Sequence, residues 1–211
     1  MRAKRKNLLI GAAIVLIIAV VVFVWILKAN NESSPNTGTS WFAGQGESDV
    51  YVFPAEEEWI NLEPTERYSA LQIPENILKN MSTAGLAETC INYPMFAEMV
   101  FYDSLELGFA QIKRRFNGLQ ELFTRPDVTN ILVSIFISMD LNKLDKYDDY
   151  PTMKFHYVCI MLYQEPVINA LTGEQKKDLL EAISEKRKLI NSKYKDHYSL
   201  YNLEILEQRI R

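Results

Sequence analysis

Residues 172–192, TGEQKKDLLEAISEKRKLINS, decide the fold class of the folded part of this chain. Thr172 and Gln175 stand three positions apart, which is the capping-box pattern that marks the start of a helix. The apolar residues that follow recur at helical spacing and form one stripe, made of Leu179, Leu180, Ile183 and Ile190. Because charged residues occupy the other faces, the segment predicts an amphipathic α-helix that packs one side against neighbouring helices.

Helical periodicity continues outward from this segment through residues 56–211. Prolines and capping residues separate the periodic segments, and no segment alternates strictly between apolar and polar residues. The predicted helices cover residues 56–62, 64–71, 75–80, 83–92, 95–101, 104–116, 118–124, 127–140, 152–170, 173–192 and 196–210. The predicted fold class is therefore all-α, a helical array or irregular bundle of short helices that follows a single N-terminal transmembrane helix.

Two segments give predictions about the core. Residues 128–141, VTNILVSIFISMDL, are apolar on nearly every side and too short to cross a bilayer, so they are predicted to form the central buried helix. In the last helix one set of residues recurs at spacings of four, three and four and is predicted to line one side of the core, namely Tyr194, Tyr198, Tyr201 and Ile205.

An uninterrupted apolar run of 20 residues lies near the N-terminus, at residues 8–27, LLIGAAIVLIIAVVVFVWIL. At about 1.5 Å per residue, a helix of this length matches the roughly 30 Å hydrocarbon core of a bilayer. Four basic residues precede the run and predict a cytoplasmic N-terminus, namely Arg2, Lys4, Arg5 and Lys6. The bulky and charged flank Leu27-Lys28-Ala29 favours an uncleaved signal anchor, and a cleaved secretory signal is the alternative.

Four segments follow from these patterns. They are a cytoplasmic basic N-terminus (1–7), a transmembrane signal anchor (8–27), a polar flexible linker (28–55) and an extracytoplasmic all-α domain (56–211). The linker is rich in Asn, Ser, Thr and Gly and lacks a helical period. Its aromatic residues are predicted to dock loosely on the domain or on the membrane interface, namely Trp41, Phe42, Tyr51 and Phe53.

The charge balance limits the class of partner. Five of the 23 basic residues precede Ala29, so residues 29–211 hold 18 basic residues against 27 acidic ones, a net charge of about −9. Nucleic acid is therefore not an expected partner, since binding it needs clustered Lys and Arg. The predicted partners are membrane lipid, through residues 8–27, and an envelope protein or polymer. No cofactor is expected.

The two cysteines, Cys90 and Cys159, both lie in apolar helical contexts. A buried free thiol is the favoured interpretation, and one disulfide is the alternative because the predicted compartment is oxidising. A zinc site is not expected, because the sequence has no Cys-x-x-Cys and its two histidines stand 41 positions apart.

The loop at residues 140–151 holds the best metal candidates, weak Ca²⁺ ligands at Asp140, Asp145, Asp148 and Asp149. Aligned as an EF-hand loop it lacks the required glycine and final glutamate, so a solvated acidic loop is predicted instead. His156 is the one histidine near these acids in sequence. It could pair with Asp148 or Asp149 for acid–base catalysis, or with Cys159 three positions on, although a buried imidazole is the favoured interpretation.

Residues 67–140 contain five short sequence strings that together resemble a known type of sequence. The strings are Gln72-Ile73-Pro74, Met81-Ser82-Thr83, Asn92-Tyr93-Pro94, Phe116-Asn117-Gly118-Leu119-Gln120-Glu121-Leu122 and Arg125-Pro126-Asp127. With them, this stretch resembles an uncharacterised helical module of exported proteins from anaerobic and gut bacteria. The resemblance implies an extracytoplasmic all-α domain and supplies no catalytic residues. Gly85 departs from it, standing where Glu would complete a capping box.

The same strings can also be explained by a structural role in the fold, without any binding site. Asn117-Gly118 is expected to turn the chain between two helices through a positive φ angle. No GxSxG, HExxH, phosphate-loop or dinucleotide-binding motif occurs. The sequence therefore predicts a membrane-anchored extracytoplasmic interaction or binding module of unknown activity.

Two alternatives to a binding module stay open. One is an enzyme of unfamiliar type that uses His156. The other is a structural envelope component or oligomer, whose transmembrane helix makes contact through small residues such as Gly11, Ala12 and Ala13.

Overall fold

The computed structural model describes residues 49–142, 152–194 and 197–211. The segments with helical periodicity form helices in these ranges. Of these residues 73% are helical and none forms a strand, so the all-α fold class is confirmed. The helices are α1 (Glu56–Trp59), α2 (Pro64–Ala70), α3 (Glu75–Leu78), α4 (Thr83–Ile91), a 3-10 helix (Phe96–Phe101), α5 (Leu105–Arg115), α6 (Asn117–Leu122), α7 (Val128–Ser138), α8 (Met153–Leu162), α9 (Glu165–Ala170), α10 (Gly173–Leu189), a π-helical turn (Ile190–Tyr194) and α11 (His197–Ile210).

The predicted membrane anchor at residues 8–27 lies outside the described residues, as do the basic N-terminus and most of the linker. Among the residues that are described, no helix is both long enough and apolar enough to cross a membrane.

Helix α10 has the start and the buried stripe that its sequence predicts. Gln175 donates its backbone N–H to Thr172 Oγ1 at 3.2 Å, and Thr172 donates its own N–H to Gln175 Oε1 at 2.9 Å. Of the predicted stripe, Leu179, Ile183 and Ile190 are buried, and Leu180 is partly buried against the core. The reciprocal cap satisfies two backbone donors, so the local pattern suffices to place this helix.

The single helix predicted at residues 152–170 is wrong, because the structure divides it into α8 and α9. Gln164 takes an extended conformation, with φ −64° and ψ 140°, and Pro166 occupies the first turn of α9. A proline inside a continuous helix would clash with the carbonyl one turn earlier and remove a hydrogen bond. The chain therefore ends α8 at Leu162 and begins a new helix.

The central helix is α8, and the prediction that residues 128–141 occupy the centre is wrong. Every residue of α8 from Phe155 to Leu162 is buried, and α8 packs against α4, α5, α7, α9 and α11. In contrast, α7 presents Asn130, Ser134 and Ile137 to solvent, and Ile137 is 42% exposed. An apolar composition sets how favourable burial is, but the number of neighbouring helices decides which segment is enclosed.

Asn117 joins two strings that lie 44 residues apart in the sequence. Its Oδ1 accepts the backbone N–H of Ile73 at 3.0 Å, and its Nδ2 donates to the Ile73 carbonyl oxygen at 2.7 Å. The backbone N–H of Asn117 donates to Gln72 Oε1 at 3.0 Å. This amide clasp fixes the loop before α3 against the start of α6.

Gly118 is needed for space, and the expected positive φ angle does not occur there. A Cβ atom at this position would lie 2.4 Å from the Phe116 ring and 3.0 Å from Ile73 Cδ1. Since Asn117 already begins α6, the chain needs no left-handed residue at this junction.

Arg125 and Asp127 hold the α3–α4 connection against the start of α7. The Arg125 guanidinium donates to the carbonyl oxygens of Met81 at 3.3 Å and Leu78 at 3.2 Å. Asp127 accepts a hydrogen bond from the Thr83 hydroxyl at 2.7 Å. The Met81-Ser82-Thr83 and Arg125-Pro126-Asp127 strings therefore have a packing role.

Residues 49–55 lie against α4, and we name them the N-terminal strap. The Asp49 carboxylate accepts the backbone N–H of Ser82, the N-cap residue of α4, and also its hydroxyl at 2.7 Å. A Cβ atom at Gly85 would lie 2.1 Å from Asp49 Oδ1. Asp49 thus supplies the carboxylate that a glutamate at position 85 would bring to a capping box, and the glycine leaves room for it.

The strap then follows α4 toward its C-terminal end. Tyr51 donates its backbone N–H to Thr89 Oγ1 at 2.9 Å, and the Phe53 ring packs edge-on against Tyr93 with centroids 5.5 Å apart. Two extended residues advance about 6.6 Å, close to the roughly 6 Å of four helical residues, so strap and helix stay in step. The last part of the predicted linker is therefore folded, whereas Trp41 and Phe42 lie outside the described residues.

Cys90 and Cys159 are both free and fully buried, in α4 and α8. Of the two alternatives, the structure has the buried thiols and not the disulfide. Each cysteine packs as a small apolar residue in the core.

Candidate binding cleft

A surface cleft of about 340 Å³ lies where the end of α4, the 3-10 helix and the first turns of α8 meet. It is lined by Ile91, Asn92, Tyr93, Ala97, Met153, Lys154 and Tyr157. Its volume is at the lower end of the roughly 300–1,000 Å³ that small-ligand sites occupy. The lining combines apolar and aromatic surface with a few polar groups, as such sites do.

Tyr93 lines this cleft and has a buried hydroxyl. Its side chain is 2% exposed, and its ring stacks on Phe116 with centroids 3.9 Å apart and planes at 6°. Burial raises the pKa of the Tyr93 hydroxyl, so this group stays neutral and can donate a hydrogen bond. No residue in the described part of the chain is within hydrogen-bond reach of it. A buried hydroxyl left in this state costs about 1–3 kcal/mol.

The 3-10 helix carries the cleft wall outward to solvent. Phe96 stacks on Tyr157 with ring centroids 4.1 Å apart, which fixes the helix against α8. Residues three apart eclipse in a 3-10 helix, so Ala97 in the wall and Val100 share one face. Val100 is 45% exposed, and the next residue, Phe101, is 83% exposed. The apolar cleft wall therefore continues onto the surface.

A close backbone approach holds the 3-10 helix on α5. A Cβ atom at Gly108 would lie 2.2 Å from the carbonyl oxygen of Met99. No side chain fits there without moving one backbone away from the other, so a glycine is required. The wall that holds Ala97 and Val100 thus rests on a rigid support.

Lys154 places a positive charge at the rim of the cleft, in the first turn of α8. That turn contains no acidic residue, and Thr152 at its N-cap makes no side-chain capping bond. The N-terminal end of a helix carries a partial positive charge from its exposed backbone N–H groups. The first turn of α8 therefore lines the cleft with a basic residue, which also has an interaction within the chain.

A polar cluster next to Tyr93 balances its own charge. Tyr68 donates its hydroxyl hydrogen bond to the Glu98 carboxylate, and Arg115 Nη1 donates to Tyr68 Oη at 2.8 Å. The Arg115 guanidinium also lies over the Tyr68 ring, 4.8 Å from its centroid. The pKa of Tyr68 is raised, first by burial and then by the bond to Glu98. Because the two charges meet at one hydroxyl, the cluster adds little net charge to the cleft.

His156 lies in the core and not in the cleft, as the favoured interpretation of its sequence context predicted. It is 2% exposed, and its Nδ1 lies 2.8 Å from Asn202 Nδ2, while its Nε2 lies 3.3 Å from Ser199 Oγ. Both ring nitrogens therefore face polar side chains of α11. The enzyme alternative needs His156 in an open pocket beside Asp148, Asp149 or Cys159. Cys159 is itself buried, so the described residues do not meet that condition.

The calcium candidates gain no support from the described residues. Asp140 accepts hydrogen bonds from the backbone N–H and the side-chain amide of Asn142, at 3.0 and 3.2 Å. Asp145, Asp148 and Asp149 lie outside the described residues, as do Arg2, Lys4, Arg5 and Lys6. Within the described part of the chain, no group of three His, Cys, Asp or Glu side chains could hold a metal ion.

No protein-family model, curated protein or solved structure matches the chain. The resemblance to a helical module of exported bacterial proteins therefore stays a prediction.

Sequence reasoning did not select the cleft residues as a site. The predicted helices 83–92 and 95–101 place the Asn92-Tyr93-Pro94 string at a junction between two helices, and that position alone does not indicate a site. Lys154 and Tyr157 stand about 60 residues further along the chain, and only the packing of α8 brings them to that turn. The Asn-Tyr-Pro string was the one available signal, because a tyrosine between a helix end and a proline is held in a fixed position.

Proposed function

We propose that this protein is a membrane-anchored, extracytoplasmic binding module, and that the cleft at Tyr93 and Ala97 is where its ligand binds. The observation that carries the proposal is the cleft itself, whose apolar and aromatic wall continues onto exposed Val100. The apolar run at residues 8–27 and its basic flank support the anchor and the orientation. The ligand is part of an envelope protein or polymer that the tethered domain meets outside the cell.

Site-specific photocrosslinking on intact cells tests the binding surface. A benzoylphenylalanine replaces Val100 in the full-length chain, and the matched control carries it at Ile137, which is 42% exposed on α7. We expect an adduct of defined mass from position 100 only. We also expect Ala97→Trp, which fills the cleft, to abolish that adduct. Equal adducts from both positions, or an adduct that persists with Ala97→Trp, would contradict the proposed surface.

Cysteine labelling tests the orientation separately. Cys90 and Cys159 are buried, so a cysteine introduced by Ile137→Cys is the accessible thiol of the described domain. We expect a membrane-impermeant maleimide to label this variant on intact cells and to leave the parent protein unlabelled. Labelling that requires cell lysis would place the domain inside the cell and overturn the proposed topology.

A further inference from the structure

Three exposed apolar side chains meet where the chain turns from the 3-10 helix into α5. Phe101 is 83% exposed, Val100 45% and Leu107 44%. The Met99 carbonyl lies against Gly108, so the adjoining residues on the turn side, Val100 and Leu107, come side by side. Single apolar residues are common on a protein surface, whereas a contiguous group marks a contact surface. We name Val100, Phe101 and Leu107 the apolar tip.

The apolar tip and the cleft form a knob and a hole on one continuous surface. Val100 shares a face of the 3-10 helix with Ala97, which lines the cleft. The hole offers an aromatic and a thioether group, from Tyr157 and Met153, that pack well on a phenyl ring. A cavity of about 150 Å³ already accepts benzene, so a cleft of about 340 Å³ has room for one phenylalanine ring. Phe101 is 83% exposed and therefore does not fill the cleft of its own chain.

We propose that the partner of this cleft is a second copy of the chain, and that in a two-fold symmetric pair Phe101 of each copy enters the cleft of the other. This inference rests on the proposed function, because it names the envelope protein that binds the same cleft. A two-fold interface brings the same surface of both copies together. A surface that carries a knob beside a matching hole is therefore complementary to itself, and pairing fills both clefts and closes the assembly.

The charges beside the knob and the hole have opposite signs. Asp103 is exposed two residues after Phe101, and Lys154 lines the cleft. Pairing brings the turn of one copy to the cleft of the other, so each acidic turn meets a basic rim. Lys154 also has an interaction within its own chain, and its ammonium group has three N–H donors, so it can take part in both. The charge pair thus orients the partner, while the aromatic contact supplies the affinity.

The same charges argue against a lipid surface as the occupant of the tip. Residues 100–107 contain two acidic residues, Asp103 and Glu106, and no basic one. Surfaces that insert into a membrane place Lys or Arg beside their apolar residues, because these attract anionic headgroups. A second copy, whose cleft has Lys154 at its rim, is the better complement.

The size of the surface predicts a weak pair that depends on the membrane anchor. A standard interface takes about 20–30 residues and about 800 Å² from each partner, and the apolar tip offers three exposed apolar residues. Anchoring through residues 8–27 holds all copies in one plane, which raises their effective concentration without a new contact. We therefore expect pairing in the membrane.

Crosslinking between two differently tagged full-length chains, coexpressed in the same membrane, tests whether the knob meets the hole. One chain carries Phe101→Cys and the other Met153→Cys, and a short bismaleimide joins accessible thiols. The native Cys90 and Cys159 are buried, so they do not compete. We expect a mixed-tag dimer, because this pair keeps one intact knob and one open hole. With Ile137→Cys, 42% exposed on α7, in place of Phe101→Cys, we expect at least about tenfold less dimer.

Two complementary variants separate pairing from folding. Phe101→Ala removes the knob, and Ala97→Trp fills the hole. Each variant alone should give at least about tenfold less dimer with an amine-reactive crosslinker than the parent chain. A mixture of the two keeps one knob and one open hole, so we expect its mixed-tag dimer to return. Misfolded chains could not restore each other, so this recovery is specific to the contact.

Photocrosslinking from position 100 distinguishes failure of this inference from failure of the proposed function. An adduct of twice the chain mass that disappears with Ala97→Trp supports the second copy. An adduct of another mass with the same dependence would overturn the inference, while the binding module stands. Absence of any adduct would overturn both. Equal crosslinking of Phe101→Cys and Ile137→Cys, or a mixture that forms no dimer, would also overturn the pair.

Discussion

Replacement of Asn117 by alanine is the sharpest test of how this fold is held together. The change removes two hydrogen bonds, one to each backbone group of Ile73, and Ile73 is 1% exposed. Both bonds are partly buried, so their loss is only partly compensated by water. At about 1–1.5 kcal/mol for each bond, the free energy of unfolding should fall by about 2–3 kcal/mol. For a domain of this size, the midpoint of thermal unfolding should fall by about 5–10 °C.

The assay is thermal and urea unfolding of the full-length chain in a non-ionic detergent, followed by circular dichroism. Asn80→Ala is the matched control, because Asn80 is exposed and its side chain makes one bond, to the Asn76 carbonyl oxygen at 2.7 Å. We expect that control to change the free energy of unfolding by less than about 0.5 kcal/mol.

A second variant, Asn117→Asp, identifies which half of the clasp matters. The carboxylate still accepts the Ile73 N–H but places a second oxygen where Nδ2 donated to the Ile73 carbonyl at 2.7 Å. This variant should be destabilised at pH 7 and regain stability at acidic pH, once a carboxylic acid can donate. An Asn117→Ala chain as stable as Asn80→Ala would refute the reasoning that the clasp joins the two strings.

Three further predictions concern the strap, the buried Tyr93 hydroxyl and the two buried thiols. Gly85→Ala should lower the free energy of unfolding by about 1 kcal/mol, because its Cβ displaces the Asp49 carboxylate; the same change in an Asp49→Ala chain should cost at least about 1 kcal/mol less. Burial raises the pKa of Tyr93, Cys90 and Cys159. In the unfolded chain these groups ionise at a pKa of about 8.5 to 10, so below that range they do not lower the free energy of unfolding. As the pH rises above that range the unfolded state gains stability by ionising, and the free energy of unfolding falls. Urea titrations from pH 8 to 11 should therefore show falling stability, with a shallower fall in a Cys90→Ala, Cys159→Ala chain. Both thiols should react with a disulfide reagent at the rate of unfolding, and fast reaction of either in the native protein would contradict its burial.

The strap shows that a segment without helical periodicity can belong to the folded domain. The sequence places residues 49–55 in a flexible linker because they lack periodicity. In the structure they follow α4 in step, and Asp49 completes its cap. The signal was the missing glutamate at Gly85, which has a meaning only once a carboxylate from another segment is found beside it.

The last helix shows the opposite limit. Its tyrosines recur at helical spacing, yet Tyr201 is 55% exposed, so the prediction that it lines the core is wrong. The buried face instead carries Ser199 and Asn202, which meet the imidazole of His156. Polar side chains turn inward here because a buried histidine in another helix needs hydrogen-bond partners. The sequence of the last helix alone does not indicate that a histidine in another helix needs these hydrogen-bond partners.

The sequence by itself determined the features that act within one or two turns of chain. These are the all-α class, the starts of helices such as α10, and the apolar stripe of Leu179 and Ile183. Each depends on residues a few positions apart, whose spacing is fixed by the helix. The tertiary structure alone decided that α8 is central, that His156 is enclosed, and that Tyr93 and Lys154 share one cleft. Those outcomes depend on which helices pack together, and the contacts that choose the packing join residues more than 40 positions apart.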